Sequence, residues 1–300
     1  MAGTTRGNAE DARSAVDTAL TRAEWTHREA IEDGEMRIVV AAVLVALNVG
    51  GALAATSARE ILEDRKQLYE TKYSWTDQHQ VVRVRTVARN GHQQVRVLEI
   101  YERIYSDGDR RALLVFLEPD SVRGTAVLSQ LHENRVAERW LYLPKFRRTR
   151  RFAGKMSDEG VVGTDLTYRE MDLMQAMLKW TESDARAALR ADEVIAGTPV
   201  RVLELTPQNR ESEYERFMLW VGSRDLVMRQ IEFYGPGTTL TKRVRQSGIR
   251  FVGTVPVAFH VEVENPRSGT RSTFDVLEAA FNVGFEEGVF SLPRLESWGH

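Results

Sequence analysis

One ammonium and four guanidiniums crowd into seven residues of this chain, at Lys145, Arg147, Arg148, Arg150 and Arg151. Like charges at that spacing repel unless anions answer them, and guanidinium forks match phosphate and carboxylate oxygens two at a time. Read as a strand, the run puts Phe146, Arg148, Arg150 and Phe152 on one side and Arg147, Thr149 and Arg151 on the other. Neither side is apolar, so the segment cannot be a strand buried on both faces. Two uses stay open. The cluster docks an anionic headgroup or an acidic partner at the rim of a pocket, or it pairs with Asp158, Glu159, Asp165 and Glu170 in a surface network. Just before it, Trp140 and Tyr142 alternate with Leu141 and Leu143, placing rings with polar handles along one side of a strand. Such rings suit a boundary between a greasy interior and water. Just after it, Met171, Met174 and Met177 recur at helical spacing. Thioether side chains repack around irregular apolar guests, although the same stripe is what any helix packed on a core needs.

Hydrolytic, phosphate-binding and metal chemistry leave no trace. There is no Gly-x-Ser-x-Gly elbow, Walker loop or His-Glu-x-x-His motif, and the histidines at 27, 79, 92, 132, 260 and 300 lack ligand spacing. The chain has no cysteine, which removes disulfides, thiolate sites and a lipidatable anchor. No cofactor or metal is expected. A formal charge of −2 over 300 residues leaves no broad basic footprint for nucleic acid.

The elements that must position these side chains follow from periodicity. Residues 1–35 are polar and sustain no apolar face. Met36-Arg37, the uncharged run from Ile38 and the Ala52-Leu53-Ala54 end form a secretory signal, since Asn48 and two glycines interrupt what would otherwise be an anchor. The expected organisation is an upstream extension (1–35) outside the mature protein, a signal peptide (36–54) and one domain (55–300). The product would be exported, soluble and unlipidated. Ser57-Ala58-Arg59-Glu60 is a capping box, and Ala58, Ile61, Leu62, Arg65, Leu68, Tyr69 and Tyr73 predict an amphipathic helix ending near Trp75. From Val81 the period becomes two, with turns at Asn90-Gly91, Asp107-Gly108 and Pro119-Asp120. Arg123-Gly124-Thr125 reads as architecture, the glycine permitting a bulge or close backbone approach.

A second helix is expected over about 166–181, capped by Thr164 or Asp165, with Tyr168 a buried hydrogen-bonding ring. Strands then resume near 189–195, 199–205, 214–221, 226–234, 240–251, 255–264 and 270–281, and the segment Phe290 to Leu295 is expected to fray beyond Pro293. The fold class is mainly antiparallel β with a few helices. About eleven strands cannot stay open and flat, so they should curl into a half-open barrel with the helices over its concave side.

Three runs together, PDSVRGTAVL at 119–128, WLYLP at 140–144 with RRTRR at 147–151, and GTDLTY at 163–168, resemble the outer-membrane lipoprotein-sorting proteins, the LolA and LolB relatives. LWV at 219–221 and IRFVGTVPV at 249–257 add to the likeness, which spans about Ser57 to Leu295. The resemblance implies a monomeric periplasmic carrier that hides acyl chains of a lipoprotein or other lipid in an apolar pocket on the concave side, covered by the helices. It further implies receipt from an inner-membrane transporter of RND or ABC type and delivery to an outer-membrane acceptor. The expected lipid-binding residues are Trp140, Tyr142, Phe146, Arg147, Arg148, Arg150, Arg151, Met171, Met174 and Met177, with Arg123, Gly124, Thr125, Asp165 and Tyr168 as structural motifs. The chain departs from LolB in having no cysteine to acylate. The rival readings are a non-carrying interaction module docking an acidic partner through the arginines, and a lipid hydrolase.

Overall fold

A computed structural model describes residues 57–132, 135–152, 160–209 and 212–297. The extension and signal expected over 1–54 lie outside the described residues, as do Asp158 and Glu159.

The sheet is built from two meanders. The first runs β1 (Asp77–Val87), β2 (Gln93–Ile104), β3 (Arg110–Glu118), β4 (Ala126–His132), β5 (Arg135–Leu143) and β6 (Arg148–Phe152). The second runs β7 (Ala185–Leu189), β8 (Glu193–Ile195), β9 (Thr198–Pro207), β10 (Arg216–Gly222), β11 (Met228–Gly235), β12 (Thr239–Val252), β13 (Val255–Asn265) and β14 (Thr270–Phe281). All pairings are antiparallel, and β1 joins β14 to make one sheet ordered β6-β5-β4-β3-β2-β1-β14-β13-β12-β11-β10-β9-β7, with β8 hung on β9. Among the described residues β6 and β7 do not pair, so the curled sheet stays unclosed.

Turn chemistry sets the registers. Asn90 Oδ1 accepts from the His92 amide at 3.0 Å and Gly91 takes φ +81°, which closes the β1–β2 hairpin. The Arg123-Gly124-Thr125 run turns β3 into β4, with Gly124 at φ +74° and its amide donating to Phe116 O at 2.9 Å.

Helix α1 (Ala58–Glu70) starts at the expected capping box, the Glu60 amide donating to Ser57 Oγ at 3.2 Å and the Ser57 amide to Glu60 Oε2 at 2.8 Å. It ends at Thr71, earlier than Trp75, although Tyr73 still packs inward at 3% exposure. Helix α2 (Tyr168–Ala176) runs on into a 3-10 turn, Met177–Lys179. The short α3 (Leu292–Ser297) closes the described chain.

Three expectations are corrected. The strand count is fourteen because the short strands β6, β7 and β8 lie at the sheet's margins, where little burial is needed and no apolar period shows. The run expected as one strand near 189–195 is split between β7 and β8. The C-terminal segment does not fray beyond Pro293. Phe290 and Leu295 are 1% and 0% exposed, packed on the convex side against Leu113, Val115, Ala126, Leu128 and Tyr142.

Candidate functional site

Alternation assigns the concave face. In the first meander Val82, Val84, Leu98, Leu114, Phe116 and Val127 point inward and form one apolar cluster with Val161. In the second, Leu203, Leu205, Phe217, Leu219, Ile231, Phe233, Val244 and Val263 form another, joined by Ala58, Ile61 and Leu62 of α1 and by Met177. Met171 and Phe274 pack against both. The two halves therefore share one continuous oily surface, which only a curled sheet can present.

The surface is not an open pocket of the kind the resemblance implies. Side chains of α1 and α2 occupy it: Leu62 is 1% exposed and Met177 2%, with Met171, Met174, Leu173 and Trp180 partly buried beside them. Open volume lies at the helix flanks. A groove of about 500 Å³ beside α1 is lined by Ile61, Leu68, Leu226, Gln67, Arg201 and Arg224 among others. A second of about 410 Å³ beside α2 is lined by Leu173, Trp180, Tyr214, Arg169 and Asn209 among others.

Helix α2 is fastened to both meanders by charge. Its cap is Thr167, whose Oγ1 accepts from the Glu170 amide at 3.1 Å while Glu170 Oε2 accepts from the Thr167 amide at 2.8 Å. The same Glu170 carboxylate pairs with Lys242 on β12 and accepts from the Tyr214 hydroxyl. Two residues on, Asp172 pairs with Arg139 of β5 at 2.5 Å, and the Arg139 guanidinium also lies 5.0 Å from the centre of the Tyr168 ring. Arg65 of α1, 2% exposed, donates to Met177 O where α2, the lid over the concave face, passes into its 3-10 turn. Burial pushes the Asp172 carboxyl up, opposed by Arg139, and pulls the Arg65 guanidinium down. Burial and then Glu170 push the Tyr214 phenol up. A further inward carboxylate, Glu102, accepts from Gln78 at 2.6 Å and pairs with Arg110 at 2.9 Å.

Of the residues singled out in the sequence, Met171, Met174 and Met177 gather on the concave face. Trp140 and Tyr142 do not join them. They point to the convex side and pack with Phe290 and Leu295, Tyr142 at 2% exposure, because the inward positions of β5 are those of Arg139 and Leu141. Arg151 stays with Trp140, its guanidinium 5.9 Å from the ring centre and paired with Glu138. Arg147, Arg148 and Arg150 are exposed, and make no ion pair among the described residues. Phe146 is 69% exposed. The alternative network between the arginines and Asp165 or Glu170 is not formed: Asp165 accepts from Ser272 at 2.8 Å and from Thr270, and Glu170 holds Lys242. Asp165 is thus a tether to β14 and not the helix cap. Tyr168, half-buried, opens α2. Arg123 pairs with Asp120 at 2.6 Å across the β3–β4 turn.

Arg65, Arg139 and Lys242 were missed as site residues. Each is a cation at an apolar-periodic position, Arg65 in the α1 stripe, Arg139 two residues before inward Leu141 and Lys242 two residues before inward Val244, and that misfit was the available signal.

No helix among the described residues is long and apolar enough to cross a membrane, and no group of three or more His, Asp or Glu among them could hold a metal. Residues 108–297 match a family model described as "-like: Uncharacterized protein". No curated protein matches the sequence. Among solved structures, a domain assigned to the outer membrane lipoprotein-sorting proteins of Vibrio parahaemolyticus is 22% identical, with a TM-score of 0.68 over 80% of this chain and 98% of that one. A DUF1329 family protein from Desulfovibrio piger is 22% identical, TM-score 0.71, over 80% and 100%. A LolA superfamily protein from Nitrosomonas europaea is 19% identical, TM-score 0.56, over 80% and 99%.

Proposed function

From the premise that the chain belongs to the family matched over residues 108–297 and has the fold of the lipoprotein-sorting LolA superfamily, we propose that it is a periplasmic carrier of acyl lipid. Residues 55–300 are the single lipid-binding domain, exported by the signal at 36–54. The observation that carries this is the unbroken apolar face running from β4 through β1 and β14 to β9 beneath two helices of thirteen and nine residues. Covering a face that size with two short helices suits a surface that must be uncovered. Hydrocarbon moved through water costs roughly 0.8 kcal/mol per CH₂, on the order of 10 kcal/mol for a long chain. That is enough to displace Met171, Met174 and Met177 and lie in their place. The thioethers adapt to the guest's shape, and the helix's ion pairs draw it back once cargo leaves.

The cargo is a lipoprotein acyl group or another lipid, taken from an inner-membrane transporter of RND or ABC type and given to an outer-membrane acceptor. The chain acts as a carrier and not as a catalyst. Its buried carboxylates Glu102 and Glu170 and the half-buried Asp172 each face a cation, a setting that ties a carboxylate down instead of freeing it for proton transfer.

Protein purified from its native compartment, extracted with organic solvent and analysed by mass spectrometry, tests the reading. Stoichiometric acyl lipid is expected; its absence, together with failure to take up lipid from vesicles, refutes carriage. A second reading, an interaction module with a solid interior, is favoured by the helices filling the concave face. It predicts that no lipid is taken up under any condition. Breakdown of bound lipid on incubation would identify a hydrolase.

A further inference from the structure

The turn between β5 and β6 has a use that carriage does not require. Pro144 opens a 3-10 turn, Pro144–Phe146, and Arg147 reverses the chain in the left-handed region at φ 46°. This holds Phe146 out of the fold. At 69% it is the most exposed large hydrophobic side chain among the described residues. Around it stand Lys145, Arg147, Arg148 and Arg150, all exposed and none ion-paired among the described residues. On the β12–β14 surface the pattern is opposite: Arg243, Arg245 and Arg271 each hold Glu262, Glu264 or Glu232 across the strands. Four uncompensated cations within six residues, beside a ring in water, are thus a local exception.

Each half of that exception is costly alone, and one environment relieves both. An acidic polypeptide would answer the charges yet must also supply a fitted pocket for the ring. An anionic bilayer offers phosphates at the depth of the guanidiniums and acyl boundary at the depth of the ring, with no shape to match. We propose that the Pro144–Arg150 tip docks the protein on an anionic lipid bilayer, with Phe146 inserted and the four cations on headgroup phosphates. The proposal stands whether or not the concave face carries cargo.

Flotation with vesicles of phosphatidylcholine, alone or mixed with phosphatidylglycerol, tests it on the intact chain. The wild type should float with the mixed vesicles, weakly with the neutral ones, and less as salt rises. Arg148→Ala with Arg150→Ala should weaken binding about 25-fold, roughly fivefold per charge. Phe146→Ser should weaken it on the order of tenfold. All three positions are exposed, so the circular dichroism of the variants should match the wild type. Val194→Ser, an equally exposed apolar side chain on β8 away from the turn, should float unchanged. Equal flotation with both vesicle types, flotation with neither, or binding indifferent to these side chains overturns the proposal. So does capture of polyglutamate through the same residues without vesicle binding, which would assign the tip to an acidic protein.

Discussion

Replacing Lys242 by Met isolates the charge that fastens the lid to the second meander. The Lys242 and Glu170 side chains are 7% and 3% exposed, so the substitution strands a carboxylate away from water. Removing one partner of a buried pair costs about 3–5 kcal/mol. Glu170 keeps the Thr167 amide at 2.8 Å and the Tyr214 hydroxyl, which offset part of that, so the lower end, about 3 kcal/mol, is expected. Against a total of about 5–15 kcal/mol the loss is large. Urea unfolding should show the midpoint falling at unchanged slope. Amide hydrogen exchange should show α2 opening before the sheet, because its other ties run to Arg139 and Arg65 and this end keeps only its cap, the Tyr214 hydroxyl and the exposed Arg169–Glu213 pair. Adding Glu170→Gln, whose neutral amide retains both hydrogen-bond partners, should recover more than half of the loss. A cost under about 1 kcal/mol for Lys242→Met, or no recovery in the double variant, would show that the pair does not hold the lid.

Other expectations can be checked in the same way. The Asp172 carboxyl is raised by burial, so the folded chain binds its proton more tightly than the unfolded chain. Its contribution is therefore full at acid pH and is lost as pH rises from the ordinary aspartate range through the raised value; Asp172→Asn should flatten the pH dependence of stability in that window. A Cβ at Gly160 would lie 1.8 Å from Thr164 O, so Gly160→Ala must shift the backbone leading into α2, and should cost about 2 kcal/mol or more by urea unfolding. Leu62→Ala, at 1% exposure between α1 and the sheet, should cost about 2–5 kcal/mol. Its cavity should raise the affinity for a short fluorescent acyl probe if the face accepts hydrocarbon.

Much of the fold was legible because its strands obey period two and its turns use Asn-Gly, Asp-Gly and Gly-Pro chemistry. The β1–β2 hairpin and α1's Ser57–Glu60 box are where the residues put them. The marginal strands were not legible, since an edge strand such as β6 buries little and carries no apolar rhythm. The face on which a strand's rings lie was also hidden. Trp140 and Tyr142 alternate as cleanly as inward residues would, and only the return of Phe290 and Leu295 over the convex side shows that both faces of β5 are covered. The methionine stripe pointed the right way, whereas the cap at Thr167 was obscured by Thr164 and Asp165, equally good capping residues that instead bind Leu166 and β14.

The most direct test of the central claim is photo-crosslinking with a fatty acid bearing a diazirine at its tail, followed by peptide mapping. Carriage beneath the lid predicts labels on α2 around Met171 and Met174 and on β14 around Phe274, rising in Lys242→Met, where the lid is loosened. Labels confined to the Phe146 turn and the outer grooves, or none at all, would contradict it.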